Sequence, residues 1–551
     1  MVARGWRGRL EGQLLQTYKE LGASPRKALA DLRTWILRKH LWVWALPVLV
    51  YFFAKHEQAR VHTLVELLLG IGLVTLVARH PYKSLTILLL FLPFELITFS
   101  LLLRFGVPAQ LVRGLGFWKE TVLAGLAVAA FLQVRASRPK FDWVDRFVIA
   151  YAVLGLAYLV LPHLFLSNTA VGASATFYAR ELDWRSAVMY VAIFLVCRHL
   201  RLSRDEMETL IRRVVVLGTI IAAIGVYEFF RPSSFNHFLV ATAQVPVYKA
   251  HVLHAPVGTP GNLLTYASNG HVRIGSVFID NLTDGWYYIV ISGLVMEMIL
   301  RGRIRAWLIG SLLVTSLALA FTQARASIIG GGLTVLFALR SQIGRSLTQR
   351  VRMTSMVALL GLAAVPLVVF SGLGHRFVSS HQSNQGHKNG ITQGLHLMAR
   401  TPLGRGLSTG TGGGQTAAAK GLVSASSIFD PENQWLLVGT ELGVLALVLY
   451  SGSIVGIVSS LKPRGTSAQV ASVATAAGGM RNAMFGLIFG TIVAQPFLDN
   501  GISWTVFGLC GAAVGALERV QLELGEGEDT AADGVANIKR SPVSHHPSLL
   551  T

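Results

Sequence analysis

Apolar runs long enough to cross a hydrocarbon core of about 30 Å as helices recur along this chain at intervals of roughly 20 to 40 residues. That pattern restricts the fold more than any other feature. Inside lipid every backbone N–H and C=O must be paired within the chain, which leaves helices or closed barrels. Barrel strands alternate in polarity, and these runs do not. They centre near residues 47, 70, 94, 128, 157, 191, 222, 292, 314, 333, 363, 446, 490 and 509. Composition agrees, since 52% of the 551 residues are hydrophobic, 14% are charged and the mean hydropathy is +0.53. Those values lie outside the soluble globular range. The sequence therefore predicts an all-α fold, a polytopic transmembrane helical bundle of about 12–14 spans.

The formal charge of +21 raises nucleic acid as a partner, but the basic residues are scattered among short connections rather than gathered on one surface. No nucleic-acid partner is expected. Alternate connections are dense in Lys and Arg: RHPYKS from Arg79, RASRPKFDWVDR from Arg135, RHLRLSRDEMETLIRR from Arg198, RGRIR from Arg301 and RSQIGRSLTQRVR from Arg340. These are predicted to be cytoplasmic. Residues 1–40 carry nine basic side chains and no early apolar core. They read as a cytoplasmic segment facing anionic membrane lipids, not as a cleavable signal peptide. The organisation that follows is N-terminal transmembrane helices over 41–230, an extracytoplasmic loop over 231–283, central helices over 284–372, a large extracytoplasmic loop over 373–433, and C-terminal helices over 434–517. An acidic-to-polar tail, 518–551, completes the chain as a disordered cytoplasmic segment, and both termini are expected inside.

Cys197 and Cys510, the two cysteines, fall in or beside apolar spans, so neither a disulfide framework nor a Cys-based metal site is available. No DxD, HExxH or Walker-type loop is present, which argues against a metal-and-nucleotide glycosyltransferase or an ATP-driven pump. No metal or cofactor is expected. Ionisable residues within spans, Glu66, Glu95, Glu297 and His163, are few and scattered for an ion path.

The two long loops gather the candidate chemistry. HVRIGSVFIDN carries Arg273 towards a span, the short turn FTQARAS leaves Arg325 where two spans meet, and DPENQW sets Glu432 at the mouth of another. An Arg at a span end also serves as a snorkelling anchor. Positive charge is disfavoured in outer turns, however, and one as short as FTQARAS suggests an anion to answer. Glu432 likewise suits a helix N-terminus, complementing its dipole. The GTGGG run near Gly412 reads as a linker or a lid. Glu441, nine residues beyond Glu432, falls on the opposite helix face. Gly439 and Gly443 read as a small-xxx-small packing pair.

Over roughly residues 210–460, four elements in order resemble the O-antigen ligase and polymerase superfamily of bacterial membrane glycosyltransferases. RIGSVFIDN resembles its Arg-x-Gly element, FTQARAS its Ser-Arg-Gly element, MARTPLGRGLSTG its Pro-Leu-x-Gly-x-Gly loop, and ENQWLLVGTELGVLAL its His-Asn-x-Tyr-Leu…Glu-x-Gly element. The chain departs from that pattern with Ala324 in place of Ser, Asp280 where Pro is common, and Glu432 where ligases carry a catalytic His. His387 and Lys388 stand where the family often has a second essential Arg, and Lys lacks the bidentate fork. The Glu432–Asn433 pair looks more like polymerase members than ligases.

The resemblance implies an enzyme at the outer face of the bacterial plasma membrane that transfers or polymerises glycan from polyprenyl (undecaprenyl) diphosphate without metal. Its partners would be that donor, a glycan or lipid-linked acceptor, and a chain-length regulator or other envelope-assembly proteins. Diphosphate leaves without a general acid, so the site needs cations for two phosphates and a base for the acceptor hydroxyl. Glu432 is the expected base, with Arg273, Arg325, Lys388, His387 and Asn433 as substrate-binding residues. A ligase acting on a lipid or core acceptor, or a lipid-linked glycan flippase or other secondary transporter, are the alternatives.

Overall fold

The computed structural model describes residues 61–137, 139, 141–166, 171–253, 263–266, 272–301, 305–340, 381–410, 412–462 and 471–538. The basic segment 1–40, the spans expected near residues 47 and 363, and residues 539–551 of the tail lie outside them. The described residues are almost wholly helical, with one antiparallel ribbon of β1 (Thr265–Tyr266) and β2 (Val272–Arg273). Six helices among them are long and apolar enough to cross a membrane: Pro81–Arg104, Ala109–Ser137, Trp143–Val160, Arg204–Phe230, Gln434–Ser460 and Gly501–Leu524. Shorter apolar helices occur at Gly70–Arg79, Met189–His199 and Ala306–Phe321. The protein is an all-α, multi-pass membrane protein.

The chain divides into two compact units, residues 1–84 with 119–139 and residues 85–118 with 140–551. In the first, Gly125 of the helix Trp118–Ser137 packs on Val74 and Val77 of the helix Val61–Arg79.

The second unit holds α1 (Trp143–Val160), α2 (Phe177–Ala187), α3 (Met189–His199), α4 (Arg204–Phe230), α5 (Asn281–Arg301), α6 (Ala306–Phe321), α7 (Arg325–Arg340), α8 (His381–Arg400), α9 (Gln434–Ser460), α10 (Ala471–Val493) and α11 (Asn500–Ile538). Local chemistry starts several of them. Asp142 with Asp145, and Ser203 with Glu206, form capping boxes on α1 and α4, each satisfying two backbone N–H groups that a helix start leaves open. α5 is buried over most of its length and packs on α4, α6, α7 and α10. Lipid gives helices no hydrophobic reason to associate, so close packing decides. The contact of α7 with α10 accordingly runs through Gly330 against Gly486.

Two expectations change. The stretches read as loops carry helical structure: short turns over 232–253 and the 20-residue α8. α11 runs unbroken to Ile538, through residues expected to be disordered tail. At one end of the unit, Arg198 of α3 ties three helices together by pairing with Asp142 at 2.7 Å, Asp145 at 2.8 Å and Glu518 of α11. Glu297 is likewise committed within the fold, to Arg301 and to Asn482 at 3.2 Å.

α9 is broken at Gly443, whose φ of 83° and ψ of 175° are not helical. Gly443 is therefore a hinge in the chain path as well as a small packing residue. The break frees the Val444 N–H and the Thr440 C=O, which an unbroken helix would join. The PLGRG segment takes both: Val444 N–H donates to Pro402 O at 2.9 Å, and Arg405 N–H donates to Thr440 O at 2.8 Å. Gly406 N–H adds a bond to Glu441 O at 2.8 Å, and Tyr158 of α1 donates its hydroxyl to Leu403 O. Irregular backbone persists inside a bundle when other chain segments satisfy it in this way.

Candidate functional site

A cavity of about 940 Å³ opens where α5, α7, α8, α10 and the start of α9 converge. Four of the six residues singled out in the sequence line it: Arg273, Arg325, His387 and Glu432.

The fold brings the two arginines together through their backbones. Arg273 ends β2, paired with Thr265. The next residue donates its N–H to Phe321 O at 3.2 Å, and Arg273 Nη2 reaches Gln323 O at 3.4 Å. Gln323, at a left-handed φ of 51°, turns the chain so that Arg325 begins α7. Sequence reading missed the residue that holds this arrangement. Glu228, buried near the end of α4, accepts the N–H groups of Gly275 at 3.0 Å and Ser276 at 2.7 Å, fixing the turn after Arg273. Its signal was available as a lone carboxylate in the apolar run AAIGVYEFF. Such a residue needs a specific partner.

Asp280 also lines the cavity. Its Oδ2 accepts the N–H and hydroxyl of Thr283, both at 2.7 Å, which caps the start of α5. Where the resemblance expects Pro, this chain uses the other common device for opening a helix. Lys249 is close enough to Asp280 to feel its charge. Burial pushes the Lys249 ammonium below its ordinary range, and Asp280 opposes that shift.

The DPEN corner supplies another part of the lining. Asp430 Oδ1 accepts the Glu432 N–H at 2.9 Å and the Gln495 amide at 3.3 Å. Glu432 takes a left-handed φ of 47°, which turns its half-exposed side chain away from the helix that follows. There it meets His387 of α8, with Nδ1 lying 2.6 Å from Glu432 Oε2. The approach is off the line of a well-formed hydrogen bond, so the contact is a close polar one between ring nitrogen and carboxyl oxygen.

Two expected binding residues stand elsewhere. Lys388, about 100° further around α8, is exposed and does not line the cavity. Asn433 is the N-cap of α9: it accepts the Leu436 N–H at 2.9 Å and donates to Ile492 O at 2.7 Å. Its side chain is committed to that cap and to α10. Glu432 precedes the cap, so the first turn of α9 contains no carboxylate.

The walls thus set two guanidinium groups and a His–Glu pair around one space, with Trp286, Phe489 and Pro496 as apolar lining and Asp499 and Gln415 as further polar groups. Such a space suits a ligand with an anionic part and a hydroxyl-bearing part. A scan against protein-family models finds no match for this sequence, and comparison with curated proteins finds none either.

Proposed function

We propose that the cavity is the active site of a metal-independent glycosyltransferase that extends a glycan from a polyprenyl diphosphate-linked donor, of the surface-polysaccharide polymerase type. The observation that carries this reading is the His387–Glu432 pair at 2.6 Å, lining one cavity with Arg273 and Arg325. The arginines bind the diphosphate oxygens and stabilise the charge that develops as the anomeric C–O bond breaks. Glu432 takes the proton from the acceptor hydroxyl as that oxygen bonds to the anomeric carbon. The diphosphate departs with the bonding electron pair. His387 holds Glu432 towards the acceptor.

The same reading puts the cavity at the outer face of a bacterial plasma membrane, with both termini inside. In its support, α5 and α11 run from the cavity, at Thr283 and Asp499, to Arg301 and Arg519 near the other end. Arg198, Arg301 and Arg519 therefore lie away from the cavity, as positive charge on the cytoplasmic side requires.

The deciding experiment supplies purified protein in vesicles with carrier-linked oligosaccharide repeat units. Longer carrier-linked chains are the expected product. Transfer only to a lipid core acceptor would make the protein a ligase. Passage of intact donor across the vesicle without new glycosidic bonds would make it a transporter.

A further inference from the structure

Away from the cavity, the break in α9 encloses a second set of polar groups. Asp183 of α2 and Glu441 of α9 are each 1% exposed, and their carboxyl groups face one another at hydrogen-bonding range. Asp183 is well served with donors, since its Oδ2 accepts the Ser408 N–H at 2.6 Å and Ser186 lies alongside. Glu441 is not. Neither of its oxygens has an aligned donor among the described groups, and the Gly410 N–H beside it approaches off line. Nearby, the Tyr190 hydroxyl lies within reach of the Tyr450 hydroxyl and the Gln434 amide, all out of line for a well-formed bond, and the Ser408 hydroxyl is buried without a hydrogen bond. Tyr151 closes the group from α1, donating to Ala187 O at 2.9 Å, with its ring 5.6 Å from that of Tyr450. A guanidinium whose charge reaches Glu441 is that of Arg405, which donates to Ser427 O at 2.8 Å.

Charge counting narrows what fills this place. Two ionised carboxylates in contact, away from water and with one cation near, cannot both persist. With a proton on each, Arg405 would be left uncompensated. One proton balances the set and gives Glu441 the donor its position lacks. The glycine-rich segment is built to approach this closely: a Cβ at Gly410 would fall 2.1 Å from Glu441 Oε1, and one at Gly413 2.1 Å from Asp183 Cα.

We infer that Asp183 and Glu441 form a binding site for a single proton, carried as an O–H on Glu441 and donated to the Asp183 carboxylate. The proton comes from solvent and returns to it, with no other bond made or broken. Asp183 is the anionic member because it already accepts the Ser408 N–H. Binding joins α2, the break in α9 and the loop through Ser408. That loop in turn anchors Phe429, whose N–H donates to Thr409 O at 2.9 Å, directly before the Asp430–Glu432 corner. This inference concerns the chain itself and stands whether or not the proposed transfer reaction is correct.

The test is difference infrared spectroscopy on the purified full chain at neutral pH, in H2O and in D2O. Wild type minus E441Q should show the loss of one protonated carboxylic-acid C=O band that moves on deuteration. D183N should lose the same band, because the amide supplies the donor and leaves Glu441 ionised against Arg405. If E441Q fails to fold, D183N decides alone. A band unchanged in either variant overturns the inference. So does a wild-type band that appears only when sodium and potassium are removed, since a metal cation would then hold the site.

Discussion

His387 Nδ1 lies 2.6 Å from Glu432 Oε2, although 45 residues separate them in the chain (432 − 387). The pair joins α8 to the corner before α9, and it lines the same cavity as Arg273 and Arg325. Glu432→Gln keeps size but removes basicity, so glycan extension should fall about a hundredfold to ten-thousandfold. Melting of the variant should match wild type, because Asn433, not Glu432, caps α9. An active Gln variant would remove Glu432 from the chemistry.

Arg273→Ala and Arg325→Ala should each lower turnover on carrier-linked donor by about tenfold to a hundredfold, the scale of one charge-assisted contact. Lys should rescue poorly at either position. Lys388→Ala, exposed and off the cavity, should stay within about twofold of wild type. Equal losses at Lys388 and Arg325 would show that exposed charge, not the cavity, drives the effect.

Asn433→Ala removes a cap and strands Ile492 O. Capping losses run at about 1 kcal/mol, so the midpoint of thermal unfolding in detergent should drop while donor binding survives. An unchanged midpoint would contradict the capping contribution.

Gly443→Ala places a Cβ 2.6 Å from Pro402 O at a φ of 83°. Strain of that kind costs about 1–3 kcal/mol. Protease cleavage within residues 402–406 should rise in the variant as the segment loosens, and an unaltered digestion pattern would show that it is held by other contacts.

Burial alone would raise the Asp142 carboxyl, but the Arg198 guanidinium and the Asp145 and Val144 N–H groups hold it below its ordinary value of 3.8. The folded protein therefore binds this proton less readily than the unfolded chain does. Its stabilisation is present above the ordinary carboxylate range and is lost as pH falls through the lower folded value. Acid melting curves should flatten in Asp142→Asn, whereas a steeper acid limb would reverse the sign of this coupling.

Much of the site was legible in single residues. Each arginine sits in a short polar segment against an apolar run, and Glu432 stands out for the same reason, so side-chain chemistry and local hydropathy identify them without any partner. The placements of Lys388 and Asn433 were not legible. Adjacent helix positions differ by about 100° in direction, and which of His387 and Lys388 turns inward depends on how α8 lies against residues 429–436. Asn433 reads equally as ligand or cap until Ile492 O is seen beside it.

By itself the sequence determined that the chain is a helical membrane protein, where α1 and α4 begin, and which charged residues stand beside spans. Those properties follow from hydropathy and from hydrogen bonds within a few residues. Tertiary structure alone decided that Glu228 would hold the Arg273 turn, that α9 would break at Gly443, and that Glu441 would meet Asp183, 258 positions away (441 − 183). A broken helix and a buried carboxylate are costly until distant groups satisfy them, and the partners here, Pro402 and Arg405 for the break and Asp183 for Glu441, are brought into reach by packing.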